Sequence, residues 1–460
     1  MRTRESVTEI IKAYDVRGIV GEQITADFIH DVGAAFGNLM RAEGQTAVAI
    51  GHDMRPSSPE LAQAFADGVR AQGLDVVMLG LTSTDQLYFV SGVRDIPGAM
   101  FTASHNPAEY NGIKMCRSGA RPVGQETGLA AIIDMLIAGV PLFDGKPGGQ
   151  TTEDSLAAYG EFLRSLVPLS SIRPLKVAVD AANGMAGHTV PEVFRGLPLE
   201  IIPLYFELDG TFPNHEANPL DPKNLVDLQK FTVEVGADIG LAFDGDADRC
   251  FVVDETGSPV SPSAICGIIA QRYLAQQPGA TIIHNLITSK AVPEIIRETG
   301  GQAVRTRVGH SFIKAKMAEH NALFGGEHSA HYYFQDFFNA DSGILAAMHV
   351  LAALGQSDQP LSELMHTYDR YHASGEVNFR LDSAEQQAQR TAAVLEAFAE
   401  RTESVDKLDG VTVDVKDSPA WFNLRASNTE PLLRLNVEAD TPEAVAALVA
   451  EISAIIVPHS

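Results

Sequence analysis

Residues 46–80 decide how the chain folds: TAVAIG (46–51), then SSPELAQAFADGVRAQG (57–73), then LDVVMLG (74–80). The outer two are short apolar runs of strand length. The middle one carries apolar residues at helical spacing, with Pro59 in its first turn and Gly73 at its end. Strand, helix, strand in this order is the unit of a parallel sheet. A further helical stretch leads into a third strand, PGAMFTA (97–103), which runs out into the polar loop Ser104-His105-Asn106-Pro107.

The same order returns twice. LKVAVDAANG (175–184), LEIIPLYF (199–206), the helical NLVDLQKFTVEVG (224–236) and ADIGLAF (237–243) end in Asp244-Gly245-Asp246-Ala247-Asp248-Arg249. TIIHNL, SKAVPEIIRETG, QAVRTRV, HSFIKAKMAEH and ALFGG, between residues 281 and 326, end in Glu327-His328-Ser329-Ala330-His331. Ligands of α/β sheets sit at the carboxyl ends of strands, so three such loops imply duplication around one cleft. After about residue 370 the rhythm changes to alternating strands and two capped helices, a small α+β domain joined through the polar stretch around His366 and His372. The expected division is 1–152, 153–256 and 257–370 for three α/β domains with mixed, largely parallel sheets, and 371–460 for the α+β domain.

Composition narrows the function. Apolar residues make up 45% of the 460 and charged residues 20%, ordinary for a folded protein, and the formal net charge is −25. Such a charge, with no Lys/Arg-rich run, disfavours nucleic acid and anionic membranes as partners. No apolar stretch has the length of a membrane span, and the N-terminus has no apolar signal core. Cys116, Cys250 and Cys266 are too few and too scattered for a disulfide framework or a zinc site, which suits a reducing cytoplasm.

Asp244, Asp246 and Asp248 would repel one another strongly in a tight loop, and a hard divalent cation with oxygen ligands, magnesium or calcium, relieves that repulsion. An EF-hand is excluded, because its sixth position needs Gly and here is Arg249. A haloacid-dehalogenase-type phosphatase, with the first Asp as nucleophile, stays open on this loop alone. Ser104 beside His105 is a weak signal by itself, and no G-x-S-x-G elbow surrounds it. Gly139 to Lys146 is not a P-loop, since its glycines stand one residue too far apart. Arg425, Ser427, Asn428 and Thr429, between two strands, offer a guanidinium, two hydroxyls and an amide, a good oxyanion cage.

Taken in order, TASHNP, DGDADR, GEHSAH and RASNTEP resemble the α-D-phosphohexomutase family. KAYDVRG (12–18) and PNHEANP (213–219) resemble its phosphomannomutase/phosphoglucomutase branch. The resemblance runs from about Lys12 to Glu438. It implies four domains around a central cleft and exchange of phosphate between C1 and C6 of a hexose, mannose or glucose, through a 1,6-bisphosphate. By match to the family's motifs, Ser104 carries the phosphoryl group. Asp244, Asp246 and Asp248 hold one magnesium, with the phosphoserine as a further ligand. Glu327 and Ser329 bind the sugar. Arg425, Ser427, Asn428 and Thr429 hold the non-reacting phosphate. Lys12, Tyr14, Arg17, Lys114, Arg249 and His310 surround the reacting groups, and His331 and Lys114 are the candidates for general acid and base. Glucose 1,6-bisphosphate is the expected activator, and the chain is expected to be a monomer or homodimer. The chain departs from the branch at His328 and Ala330, where GEMSGH is common, and at Ala247, where many members have Gly. GEHSAH and the PNH-x-x-x-P stretch argue against the phosphoglucosamine mutase branch. A magnesium-dependent phosphatase and a catalytically dead sugar-phosphate binder are the readings from other classes.

Overall fold

A computed structural model describes residues 2–12, 14–427 and 431–457, with His310 by its backbone alone. The chain divides into two compact units, residues 1–262 with 329–364, and residues 263–328 with 365–460. The third strand–helix repeat, 281–326, falls in the second unit, while the segment expected as the third domain, 257–370, is divided between the two.

In the first unit, the strands Val16–Ile19, Tyr110–Arg117, Gly98–Phe101, Ala47–His52, Asp75–Leu81 and Gln150–Thr152 lie side by side in that order. Ala47–His52 pairs in parallel with both Asp75–Leu81 and Gly98–Phe101, while Tyr110–Arg117 runs antiparallel to Gly98–Phe101. The sheet is thus mixed, parallel where the strand–helix–strand reading placed it. Helix Ser58–Ala71 buries Leu61, Ala62, Phe65, Ala66 and Val69, the apolar stripe seen in the sequence. It packs on helix Ala26–Ala42. A Cβ on Gly33 would stand 2.3 Å from the Phe65 carbonyl oxygen, and one on Gly68 would stand 2.1 Å from that of His30. Only glycine lets the two backbones approach so closely.

A second sheet in this unit orders Pro259–Val260, Cys250–Asp254, Ile239–Phe243, Leu175–Asp180 and Leu199–Leu204. Its last three strands are parallel, so the turns after Phe243 and Asp180 emerge at one edge. Helix Thr84–Arg94 packs on the first sheet, and its Thr84 N–H donates to the Asp246 carbonyl at 3.2 Å, in the loop that leaves the second. Its Asp85 is fully buried and accepts from the hydroxyls of Ser83 (2.5 Å), Tyr159 (2.6 Å) and Ser342 (2.6 Å). Burial pushes this carboxyl up to about 6 against the pull of those three donors.

In the second unit, Gln302–Thr306, Thr281–Asn285 and Phe324–Gly326 pair in parallel. The C-terminal sheet is antiparallel, ordered His372–Arg380, Leu432–Ala439, Trp421–Ala426, Val411–Val415 and Thr402–Asp406. Its core joins Val394 and Phe398 of one helix, Leu448 and Ile452 of the other, and Phe422 and Leu435 of the strands. The polar stretch before this domain is tied down: Arg370 pairs with Glu298 at 2.6 Å, and the Tyr371 hydroxyl donates to Glu294 at 2.9 Å.

Candidate active site

The loop after Gly98–Phe101 turns through Ser104, whose φ of +50° is left-handed. A non-glycine residue holds that conformation only where its surroundings enforce it. Here the Ser104 N–H donates to Thr102 Oγ1 at 2.9 Å, and the Asn106 N–H donates to the Ala103 carbonyl at 3.0 Å. The Ser104 hydroxyl, 4% exposed with its residue, donates to Asp244 Oδ2 at 2.7 Å. The loops of the two sheets therefore meet at one oxygen atom.

Arg249 completes that meeting. Its Nε and Nη2 donate to Asp244 Oδ2 at 3.0 and 2.9 Å, and Nη2 reaches Ser104 Oγ at 3.4 Å and His105 Nδ1 at 2.5 Å. Burial, with Arg249 and Arg17 nearby, holds the His105 imidazole well below its ordinary pKa. It is thus neutral, with Nδ1 free of a proton to accept from Arg249. Lys114 reaches across to Asp246 Oδ2 at 2.6 Å and to Asp248 Oδ2. Thr84 Oγ1 donates to Asp246 Oδ2 at 2.6 Å. Burial works against charge on both Lys114 and Asp246, but their mutual attraction outweighs it, raising the ammonium and lowering the carboxyl. Arg17 is bonded to the serine loop through Asn106 Oδ1 at 2.5 Å and to Asp15 at 2.5 Å. His331 Nε2 stands 3.9 Å from Asp248 Oδ1, and its Nδ1 stands 3.1 Å from Ser329 Oγ.

The residues fit a divalent cation. Carboxylate oxygens of Asp244, Asp246 and Asp248 lie within 4.8 Å of one another, all buried. Lys114 and Arg249 are bonded to these carboxylates, yet burial still pushes the Asp244 carboxyl up to about 7 against the pull of Arg249. Oδ1 of Asp246 and Oδ1 of Asp248 are buried without a hydrogen-bond partner, a cost that a bound cation would remove. Hard oxygen donors of this kind suit magnesium.

Ala247, at the hinge of that loop, has φ +62°, and Ala330 has φ +63°. Both departures from the family's glycines thus fall on left-handed positions. The methyl group costs about 1 kcal/mol there, while alanine recovers about 0.4–1 kcal/mol by restricting the unfolded chain. Ala247→Gly should therefore shift the unfolding free energy by less than about 1 kcal/mol in urea denaturation and leave turnover unchanged. A loss of about 2 kcal/mol or more would mean that the buried methyl packs too well to remove.

The PNHEANP stretch sits beside the second sheet. His215 faces Asp180 Oδ2 with Nε2 at 2.9 Å and the Glu216 carbonyl with Nδ1 at 2.8 Å. Both ring nitrogens meet acceptors, an arrangement that favours the protonated ring. Burial opposes that charge, but Asp180 raises its pKa.

Glu327 and Arg425 belong to the second unit. Glu327, 2% exposed, accepts from the Gly309 N–H at 3.0 Å and Asn285 Nδ2 at 3.2 Å through one oxygen. His328 Nδ1 faces Ser263 Oγ at 2.9 Å, and burial keeps its ring neutral. Arg425 is buried and pairs with Glu376 at 3.4 Å, which also pairs with Arg434 at 3.4 Å. Ser427 closes the hairpin, its N–H donating to the Leu432 carbonyl at 2.8 Å. Lys12 is exposed and donates its N–H to the Asp15 carbonyl at 2.8 Å; Tyr14 is half-buried two residues on. Asn428, Thr429 and the His310 side chain lie outside the described residues. Sequence reasoning missed Thr84 and Arg55. The signal for Arg55 was a D-x-R-P-S-S run (53–58) leaving a strand that is parallel to the strand before Ser104.

Sequence models of four successive domains match the chain. The α/β/α domains I, II and III of phosphoglucomutase/phosphomannomutase cover residues 8–138, 157–257 and 261–371, and the C-terminal domain covers 376–455. A Xanthomonas campestris protein named for phosphohexose mutases is 40% identical over 93% of this chain and 94% of its own. A phosphomannomutase of Salmonella montevideo is 38% identical over 93% and 94%. The crystal structure of a phosphoglucomutase/phosphomannomutase family protein from Burkholderia thailandensis superposes with a TM-score of 0.89 at 32% identity, covering 100% of this chain and 99% of that one. With relatives at this identity over more than nine-tenths of both chains, and two of the family's strand-end loops meeting at one serine hydroxyl, the chain belongs to the phosphoglucomutase/phosphomannomutase family of phosphohexomutases.

Proposed function

We propose that this phosphohexomutase interconverts hexose 1-phosphate and hexose 6-phosphate, of mannose and of glucose, by passing the phosphoryl group through Ser104. The observation that carries the reading is the Ser104 hydroxyl, buried at a left-handed turn and hydrogen-bonded to Asp244 at 2.7 Å under the Arg249 guanidinium. In the forward half-reaction the bond from phosphorus to Ser104 Oγ breaks, and a bond to the sugar hydroxyl oxygen forms. The hydroxyl proton leaves to a base. His331, part-exposed beside Asp248, is the candidate. The bisphosphate turns over, and Ser104 takes back the other phosphoryl group. Arg249, Lys114 and Arg17 supply positive charge around the transferring oxygens.

Asp244, Asp246 and Asp248, with the phosphoserine, would hold one magnesium ion. When bound, it neutralises charge on the phosphoryl oxygens and on the departing serine oxygen. Glu327 and Ser329 would bind sugar hydroxyls. By match to the family's motifs, Arg425, Ser427, Asn428 and Thr429 would hold the non-reacting phosphate, and Lys12, Tyr14 and His310 would contribute to substrate binding. Four functional domains divided near residues 152, 256 and 370 suit these roles. Glucose 1,6-bisphosphate would activate the unphosphorylated form. The acidic, reduced-cysteine chain suits a cytoplasmic monomer or homodimer that engages neither nucleic acid nor membrane. Among the described residues, no helix is long and apolar enough to cross a membrane.

Side-by-side assays on mannose, glucose and glucosamine 1-phosphates test the reading. Isomer formation from the first two, with specificity constants within about one order of magnitude, is expected, since they differ at C2 alone and one hydroxyl contributes modestly. Free phosphate as the main product would make the protein a phosphatase. A strong preference for the glucosamine ester would move it to the other mutase branch.

A further inference from the structure

We infer that Arg55 is the positioning residue that holds Ser104 in its reactive conformation, an inference that rests on the role proposed above for Ser104. The Arg55 side chain is completely buried. Nη1 donates to the carbonyl oxygens of Pro107 at 2.7 Å and Tyr110 at 2.9 Å. Nη2 donates to those of Asn106 at 2.7 Å and of Ser104 itself at 3.1 Å. Nε faces Asp53 Oδ2 as an ion pair at 3.3 Å. One guanidinium thus gathers four carbonyls of the serine loop.

The grip is itself fixed. Asp53 Oδ1 accepts from the Arg55 N–H at 3.0 Å and from Ser58 Oγ at 2.6 Å. The Phe212 ring lies 5.0 Å from the guanidinium carbon. A Cβ on Gly210 would stand 2.5 Å from the Arg55 Cα, so the segment before PNHEANP closes over the arginine backbone.

Two effects follow. The left-handed turn at Ser104 needs outside enforcement, and Arg55 binds the carbonyl of that residue. Four carbonyl dipoles are also turned onto a buried cation, so they do not oppose an anionic phosphoryl group at the serine. Neither effect touches the sugar. Loss of Arg55 should therefore lower kcat with little change in KM. Lysine keeps the charge for Asp53, but its three donors radiate from one atom and cannot span four carbonyls.

The test is Arg55→Lys, with Arg55→Gln as a second variant and Val69→Ala as a control. Val69→Ala lowers stability from the same domain's core without touching the loop. We expect kcat of Arg55→Lys to fall by about 10- to 100-fold with KM within about threefold, and Val69→Ala to keep kcat per folded molecule. Single-turnover transfer from the Ser104-phosphorylated variant to glucose 1-phosphate should slow equally. Equal kcat losses in Arg55→Lys and the control, or a kcat within about twofold of the parent, would overturn the inference. A measurement on the unaltered protein stands even if both variants fail to fold. The Ser104 and Asn106 amides should exchange hydrogen as slowly as the sheet core, and exchange on the order of 100-fold faster would mean the loop is not held. Peptide mass spectrometry on the unaltered protein separates the two failures. Phosphate absent from Ser104 rejects the serine's role, whereas phosphate present with transfer unaffected in Arg55→Lys rejects only the role of Arg55.

Discussion

Ser104→Ala should abolish mutase turnover, by on the order of 10⁴-fold or more, because among the described residues no other hydroxyl stands where Ser104 Oγ meets Asp244 and Arg249. The fold should survive the change. Asp244 Oδ2 loses one donor but keeps Nε and Nη2 of Arg249, and its Oδ1 keeps the Arg249 backbone N–H. Loss of one hydrogen bond costs about 1 kcal/mol, so a melting curve close to the parent's should accompany the inactive enzyme. Peptide mass spectrometry should find phosphate on the Ser104 peptide of the parent and none on that of the variant. Full activity in Ser104→Ala would sink the assignment of the nucleophile.

Asp246→Ala should have the next largest effect, a loss on the order of 10³-fold, matched by treating the parent with a chelator. In the parent, magnesium should restore turnover after chelation, and calcium should do so poorly because its coordination is larger and looser. The readout besides activity is thermal. A cation that binds only the folded chain raises its melting temperature by mass action, so added magnesium should raise that of the parent and leave that of Asp246→Ala where it was. The variant also frees Lys114 and Thr84 from one shared oxygen. That cost is offset in part by removing one of three crowded carboxylates. An identical magnesium shift in both proteins would place the cation elsewhere.

Much of this arrangement was legible in the sequence for a definite reason. Ser104 and Asp244 each end a short apolar strand, and parallel strands deliver their ends to one edge, so the loops announced themselves as polar text after apolar text. Cys250–Asp254 and Tyr110–Arg117, which turn the sheets mixed, did not stand out. An antiparallel return strand needs no helix before it and carries no strand–helix rhythm. The edge strand Thr402–Asp406 is mostly exposed and lacks an apolar face to read. Arg55, despite its own D-x-R-P-S-S run, was passed over for another reason. Its partners are backbone carbonyls, which every residue owns, so nothing in the side-chain pattern marks the loop it grips. The excess charge of the aspartate cluster was legible, but its local balance was not, because Lys114 lies 132 positions from Asp246 in sequence.

The left-handed backbone at Ser104 also bears on which alcohols the site can use. Threonine offers the same nucleophilic oxygen, and chemistry alone would accept it. Its second γ-substituent, however, crowds the main chain at φ near +50°, where β-branched residues are genuine outliers. The choice between two hydroxyl amino acids that differ by one methyl group is thus made by a dihedral angle and not by reactivity. A neighbouring substitution that relaxed this turn would widen the set of tolerated nucleophiles even as it slowed the native one.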